Sequence, residues 1–77
     1  MVKDELNKII GLRIKSLRES KDMSQKSLAD ALFKERQTVQ RIEAGGTNPT
    51  IFTLYQISKV LEISLHELVK IDELTGK

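Results

Sequence analysis

The sequence predicts an all-α fold: a compact five-helix domain, its second and third helices joined by a tight turn. Three observations carry that expectation. Apolar residues recur every three or four positions along most of the chain. Hydroxyl residues stand just before three of these apolar runs, at Ser24, Thr50 and Ser64. No segment alternates apolar and polar residues with the period of two that a half-buried strand requires.

Leu6, Ile10, Ile14 and Leu17 share one helical face, so roughly residues 4–21 are expected to form the first helix. Leu12 lies off that stripe and is expected to be exposed. Ser24 is placed to cap the second helix, its hydroxyl accepting a backbone N–H of the first turn. Met23 and Leu28 are spaced as a hydrophobic staple. Leu28 and Leu32 form that helix's buried stripe, and the small Ala29 lets a neighbouring helix approach closely. The third helix is expected over about residues 35–44, with Val39 and Ile42 on one face and polar or basic side chains on the other. Gly45 stands where a left-handed residue ends a helix. Gly46-Thr47-Asn48-Pro49 reads as a loop. Thr50 caps a fourth helix carrying Ile51, Leu54, Ile57 and Leu61. Ser64 and Glu67 have capping-box spacing, and Ile63 and Leu68 staple spacing, at the start of a fifth helix reaching about Asp72. The tail, residues 73–77, is expected to fray.

The chain has 77 residues, which suits a single domain over 1–77. A core this small is marginal, so caps and dense packing matter. There is no Cys, which removes disulfides and thiolate sites. The single His66 cannot build a metal site alone, and no cofactor is implied. No nucleophile–His–acid set or phosphate-loop motif is present, so no catalytic residue is assigned and an enzyme is not expected. Glu67, Asp72 and Glu73 read as helix surface. No apolar run approaches a membrane span, and the N-terminus carries Asp4 and Glu5 where a signal peptide would be basic. A soluble, cytoplasmic protein is the expectation.

Charge is unevenly placed. Arg13, Lys15, Arg18, Lys21, Lys26, Lys34, Arg36 and Arg41 outnumber the acids between them, whereas acids outnumber cations from Ile42 onward. A basic first half suits a polyanionic partner, although an ordinary solvated helix surface reads equally well from charge alone.

Several short motifs occur in order: Leu17-Arg18, Ser24-Gln25-x-x-Leu28-Ala29, Arg41-Ile42-Glu43-x-Gly45, Asn48-Pro49-Thr50, and Leu61-x-Ile63-Ser64-x-x-x-Leu68. With them, about residues 10–69 resemble the lambda-repressor-like helix-turn-helix domains of the Xre/Cro/cI type. Each motif is weak alone, but the ordered set is specific. The resemblance implies that the third helix lies in a DNA major groove while the second crosses above it. It places Arg36, Gln37 and Arg41 where such domains reach bases, with Thr38 and Gln40 as further candidates. Arg can bond bidentately to guanine and Gln to adenine, which suits those positions. For Gln40 and Arg41 a solvated helix face is the competing reading. Gln25 takes the place of a phosphate contact, and the loop Gly45, Gly46, Thr47 and Asn48 that of a second phosphate clamp through backbone N–H groups. For the glycines, turn geometry alone is a sufficient reading. Arg18 and Glu43 match a partly buried salt bridge that ties the first helix to the end of the third.

The turn before the third helix departs from the pattern. Phe33 stands where Gly or Asn is usual, Lys34 where an apolar residue is usual, and Glu35 where Ser or Thr is the usual cap. Two geometries are open. Phe33 takes the usual left-handed conformation at a cost of roughly 1–2 kcal/mol, or the turn is remodelled and the ring fills the space of the next side chain. The sign of φ at Phe33 decides.

The function implied is sequence-specific binding of double-stranded DNA by a small transcriptional regulator. It would act as a homodimer on a palindromic operator, with half-sites about one helical turn, roughly 34 Å, apart. Leu65 and Val69 are the dimer candidates, with Phe52 and Tyr55 as neighbours; ordinary core packing or scattered surface apolars is the competing reading. The alternative function is a protein-interaction module, such as an antitoxin-like domain whose main partner is another protein.

Overall fold

The computed structural model describes residues 2–71. The expectation of a frayed tail over 73–77 falls outside them. Five helices follow in order: α1 (Lys3–Ser20), α2 (Gln25–Ala31), α3 (Arg36–Glu43), α4 (Ile51–Val60) and α5 (Leu65–Leu68). No strand occurs among the described residues. None of their helices is long and apolar enough to cross a membrane.

The caps form where hydroxyls were placed. Ser24 accepts from the Ser27 N–H, Thr50 from the Thr53 N–H, and Ser64 from the Glu67 N–H. The Ser64–Glu67 box is only half made: the Glu67 carboxylate turns to Arg13 Nη2 at 3.1 Å. A charged partner outcompetes the backbone for that carboxylate. α1 is held at its start by Glu5, which accepts the Val2 N–H at 3.1 Å. α5 ends earlier than its apolar pattern suggests, because Val69 leaves helical geometry with φ −100° and ψ 26°.

One core joins the helices. Ile14, Leu28, Val39, Ile57, Leu61 and Leu68 are fully buried at its centre. Met23, Ile63, Leu65, Val69 and Ile71 close its edge. Leu12 is exposed, as its place off the α1 stripe requires. Of the apolar residues on α4, Ile51 is 69% exposed, since the first residue of the helix precedes the turn that meets the core.

α1, α2, α3 and α4 end in the same way. In each, the residue after the cap has positive φ, at Asp22, Phe33, Gly45 and Glu62. Each tail makes the paired Schellman bonds, for example Phe33 N–H to Asp30 O and Lys34 N–H to Ala29 O after α2. Only one of these four positions is glycine. The φ of 58° at Phe33 therefore selects the usual turn and removes the remodelled one. The Phe33 ring fills no gap, being 96% exposed.

Phe33→Gly is accordingly expected to stabilise the domain by about 1 kcal/mol, raising Tm by roughly 4–8 °C. Relief of the left-handed penalty outweighs the extra backbone entropy of glycine, and no packing is lost. A fall in Tm on thermal unfolding would show that the ring makes contacts the isolated chain lacks.

Gly11 sets the distance between α1 and α3. A Cβ there would lie 2.5 Å from the Glu43 carbonyl oxygen and collide with that of Ile42 as well. The α1 backbone rests directly on the last turn of α3. The aim of α3 is fixed by this contact together with the α2–α3 turn.

Candidate nucleic-acid interface

α3 buries Val39, Ile42 and Glu43 and exposes Arg36, Gln37, Gln40 and Arg41. At about 100° per residue the four exposed side chains cover an arc of roughly 140°. Thr38 is half-buried at its border. No acid shares the arc, because the Glu43 carboxylate points inward. Glu35 precedes the helix as its N-cap without a side-chain hydrogen bond. Thr38 instead donates to the Glu35 carbonyl at 2.9 Å.

Behind this face stands a buried ion pair. Arg18 donates from Nε to Glu43 Oε2 at 2.6 Å and from Nη2 to Glu43 Oε1 at 3.0 Å. Its third group, Nη1, donates to the Met23 carbonyl at 2.6 Å. The bidentate geometry fixes both side chains, and both are buried. The hydrogen bond to Glu43 raises the pKa of Arg18 above the ordinary guanidinium value; burial opposes it, and the charges of Glu43 and Glu19 add to it. The three segments joined, α1, the α1–α2 turn and α3, cannot shift independently without breaking this bridge.

The bridge continues to the surface. Gln25 Nε2 donates to Glu43 Oε1 at 3.1 Å, which turns Gln25 Oε1 outward to accept from Arg36 Nη1 at 3.3 Å. Gln25 was expected at the backbone of a nucleic acid. It stands at the start of α2 beside the exposed arc of α3, and it also orients Arg36. That second link is not legible in the sequence, because residues 11 apart on different helices have no shared periodicity.

The loop after α3 is different from expectation in one respect. The N–H groups of Gly45 and Gly46 are already committed to the Ile42 and Arg41 carbonyls. Two of the donors expected for a phosphate clamp are thus consumed by the helix cap. Thr47 and Asn48 remain, since their N–H groups have no internal hydrogen bond among the described residues. Gly45 is required sterically as well: φ is 77°, and a Cβ would lie 2.8 Å from Lys8 Cα.

The dimer candidates also separate. Leu65 and Val69 are half-buried against the core rather than free. The large apolar side chains exposed nearby belong to α4: Phe52 at 65%, Tyr55 at 46% and Ile51. Charge is redistributed too. Arg13 is paired with Glu67 at 3.1 Å and Lys21 with Glu62 at 3.0 Å, so two cations of the basic half are neutralised by acids of the second half. Among the described residues no cluster of His, Cys, Asp and Glu could hold a metal ion.

Comparison with known proteins agrees with this geometry. The HTH_3 family model, described as helix-turn-helix, matches residues 14–68. The chain is 31% identical over 65 residues to y4dJ of Sinorhizobium fredii, an uncharacterized HTH-type transcriptional regulator, covering 84% of each chain. An uncharacterized HTH-type transcriptional regulator of Archaeoglobus fulgidus is 31% identical over 61 residues, covering 79% of this chain and 86% of that one. An HTH_3 family transcriptional regulator from Vibrio cholerae superimposes with a TM-score of 0.83 at 25% identity, over 97% of this chain. The match spans 42% of the length of that larger protein. The restriction-modification controller protein C.AhdI from Aeromonas hydrophila superimposes with a TM-score of 0.77 at 31% identity, over 83% of this chain and 96% of that one.

Proposed function

The chain belongs to the lambda-repressor-like helix-turn-helix family of transcriptional regulators, and from that premise we propose that it binds double-stranded DNA in a sequence-specific way. One observation supports this reading above the others. Arg36, Gln37, Gln40 and Arg41 form an acid-free exposed arc on a helix whose backbone is braced by the buried Arg18–Glu43 pair. Arg and Gln are the side chains that match guanine and adenine bidentately in the major groove. A rigid helix is what lets such side chains discriminate, because each bond depends on a few tenths of an ångström.

In this reading Arg36, Gln37 and Arg41 reach base edges, with Thr38 and Gln40 at the margin. Gln25, Thr47 and Asn48 face phosphates, and Gly45 and Gly46 hold the loop that carries the last two. The protein acts as a symmetric dimer on a palindromic operator. The exposed α4 side chains Ile51, Phe52 and Tyr55, with Leu65 and Val69 at their edge, are the proposed dimer surface.

Selection of bound sites from a random duplex pool tests the proposal. It is expected to enrich two inverted half-sites whose centres lie about 10 base pairs, one helical turn, apart. A single enriched half-site would remove the dimer and keep the reading helix. A pool that stays random after repeated rounds would contradict sequence-specific binding and favour the protein-interaction module.

A further inference from the structure

We infer that Lys8 and Lys15, with Leu12 between them, form a second phosphate-binding wall on α1 that seats the DNA backbone beside the reading face of α3. The inference rests on the DNA-binding reading above and extends its surface to a helix not yet assigned to it.

The spacing i, i+4, i+7 puts the three side chains in one strip along α1. That strip lines a cleft of about 390 Å³ whose opposite wall carries Gln25 and Gln40. Both amides already belong to the proposed interface, so the cleft is continuous with it. Its position is set by close packing. A Cβ on Gly45 would fall 2.6 Å from Lys8 Cγ, which places Lys8 directly at the end of α3.

The charges around α1 divide by face. Arg13 and Lys21 are neutralised by Glu67 and Glu62. Lys8 and Lys15 have no acidic partner among the described residues, and both are exposed. The one carboxylate lining the cleft, that of Glu43, is already bonded twice to Arg18. The sign of the cleft is therefore positive, and its ammonium groups are unspent. An exposed ammonium group with no carboxylate partner is a point charge free to meet a phosphate.

Dimensions fit one DNA strand. Seven residues of helix rise about 10 Å, and one strand advances about 3.4 Å per nucleotide along the duplex axis. The two side chains thus start far enough apart for each ammonium group to meet a different phosphate of one strand. Leu12, 61% exposed between them, meets the apolar face of the intervening sugars. A duplex backbone supplies an anion at each nucleotide step, and contacts of this kind carry no base information.

The test compares wild type with Lys8→Ala/Lys15→Ala, using the duplex selected above and an unrelated duplex, over a range of salt. Loss of two phosphate contacts is expected to make the slope of log affinity against log salt shallower by about 1.8, and to weaken binding roughly 60-fold at 0.1 M salt. The loss is expected to be equal on both duplexes, so sequence preference stays unchanged. Lys21→Ala, on the paired face, is expected to leave slope and affinity as they are. Thermal unfolding checks that the double variant keeps its fold; Lys8→Gln/Lys15→Gln repeats the test should it not. An unchanged slope in a variant of a wild type that does bind DNA overturns the α1 wall and leaves the reading helix intact. An unchanged DNA slope with lost binding of a polyglutamate probe overturns it in favour of an acidic protein partner. Absence of salt-dependent DNA binding by wild type itself fails the underlying reading, and this inference with it.

Discussion

Arg18→Met is expected to destabilise the domain by about 3–5 kcal/mol, the largest loss from any single side chain discussed. The reason is asymmetry. The substitution removes three hydrogen bonds and leaves the buried Glu43 carboxylate without its counter-charge. Only the weaker amide of Gln25 then remains to it. A chain of this length holds a total stability of about 4–12 kcal/mol, so the variant sits near the edge of folding. Tm is expected to fall by more than 12 °C, at roughly 4–8 °C per kcal/mol. Arg18→Met with Glu43→Leu removes both charges and is expected to recover part of the loss, because no unpaired buried charge remains. Chemical denaturation of the two singles and the double closes the cycle. A single substitution costing less than 1 kcal/mol would show that the pair is dispensable to the fold.

The second large effect concerns binding. Arg36→Ala with Gln37→Ala is expected to weaken binding to the selected duplex by about 2–6 kcal/mol, since each bidentate base contact supplies about 1–3 kcal/mol of discrimination. Both residues are exposed and neither packs in the core, so stability is expected to change little. Arg36 loses only a 3.3 Å bond to Gln25. The loss should fall on the selected duplex and spare the unrelated one, apart from one phosphate-scale change for the lost Arg charge. This pattern is the inverse of that expected for Lys8 and Lys15, and the two pairs of variants together separate readout from anchoring.

Much of the fold was legible because local chemistry and tertiary packing agree. Ser24, Thr50 and Ser64 cap helices for the same reason they are recognisable: a hydroxyl before an apolar run satisfies an otherwise orphaned N–H. What was not legible depends on partners distant in the chain. Glu67 has the spacing of a capping box but finds Arg13, 54 residues away. The N–H groups of Gly45 and Gly46 look free in a loop, yet the Schellman bonds consume them. Leu65 and Val69 suit a dimer contact or ordinary core packing equally from sequence, and only the path of the chain shows that both meet the core's edge. Phe33 shows the limit differently. Sequence identified the anomaly, and two geometries satisfied it; only the backbone angle chose between them.

The same division holds at the interface. The exposure of Arg36, Gln37 and Arg41 follows from the amphipathic pattern of α3, their proposed part in base contact rests on the family resemblance, and the brace of Arg18 and Glu43 follows from the motifs that carry it. The link through Gln25 and the cleft beneath Lys8 and Lys15 do not, because they arise where α1, α2 and α3 converge. In chemical terms, the residue types were readable and their mutual orientation was not.

The most direct measurement is the ratio of affinities for the selected and the unrelated duplex, at one fixed salt concentration, in wild type and in Arg36→Ala/Gln37→Ala. If the exposed arc of α3 reads sequence, wild type gives a ratio of at least 10³, and the double variant collapses it toward unity while keeping salt-dependent binding. A ratio that survives the double substitution would contradict the account, because sequence would then be read by some other part of the molecule.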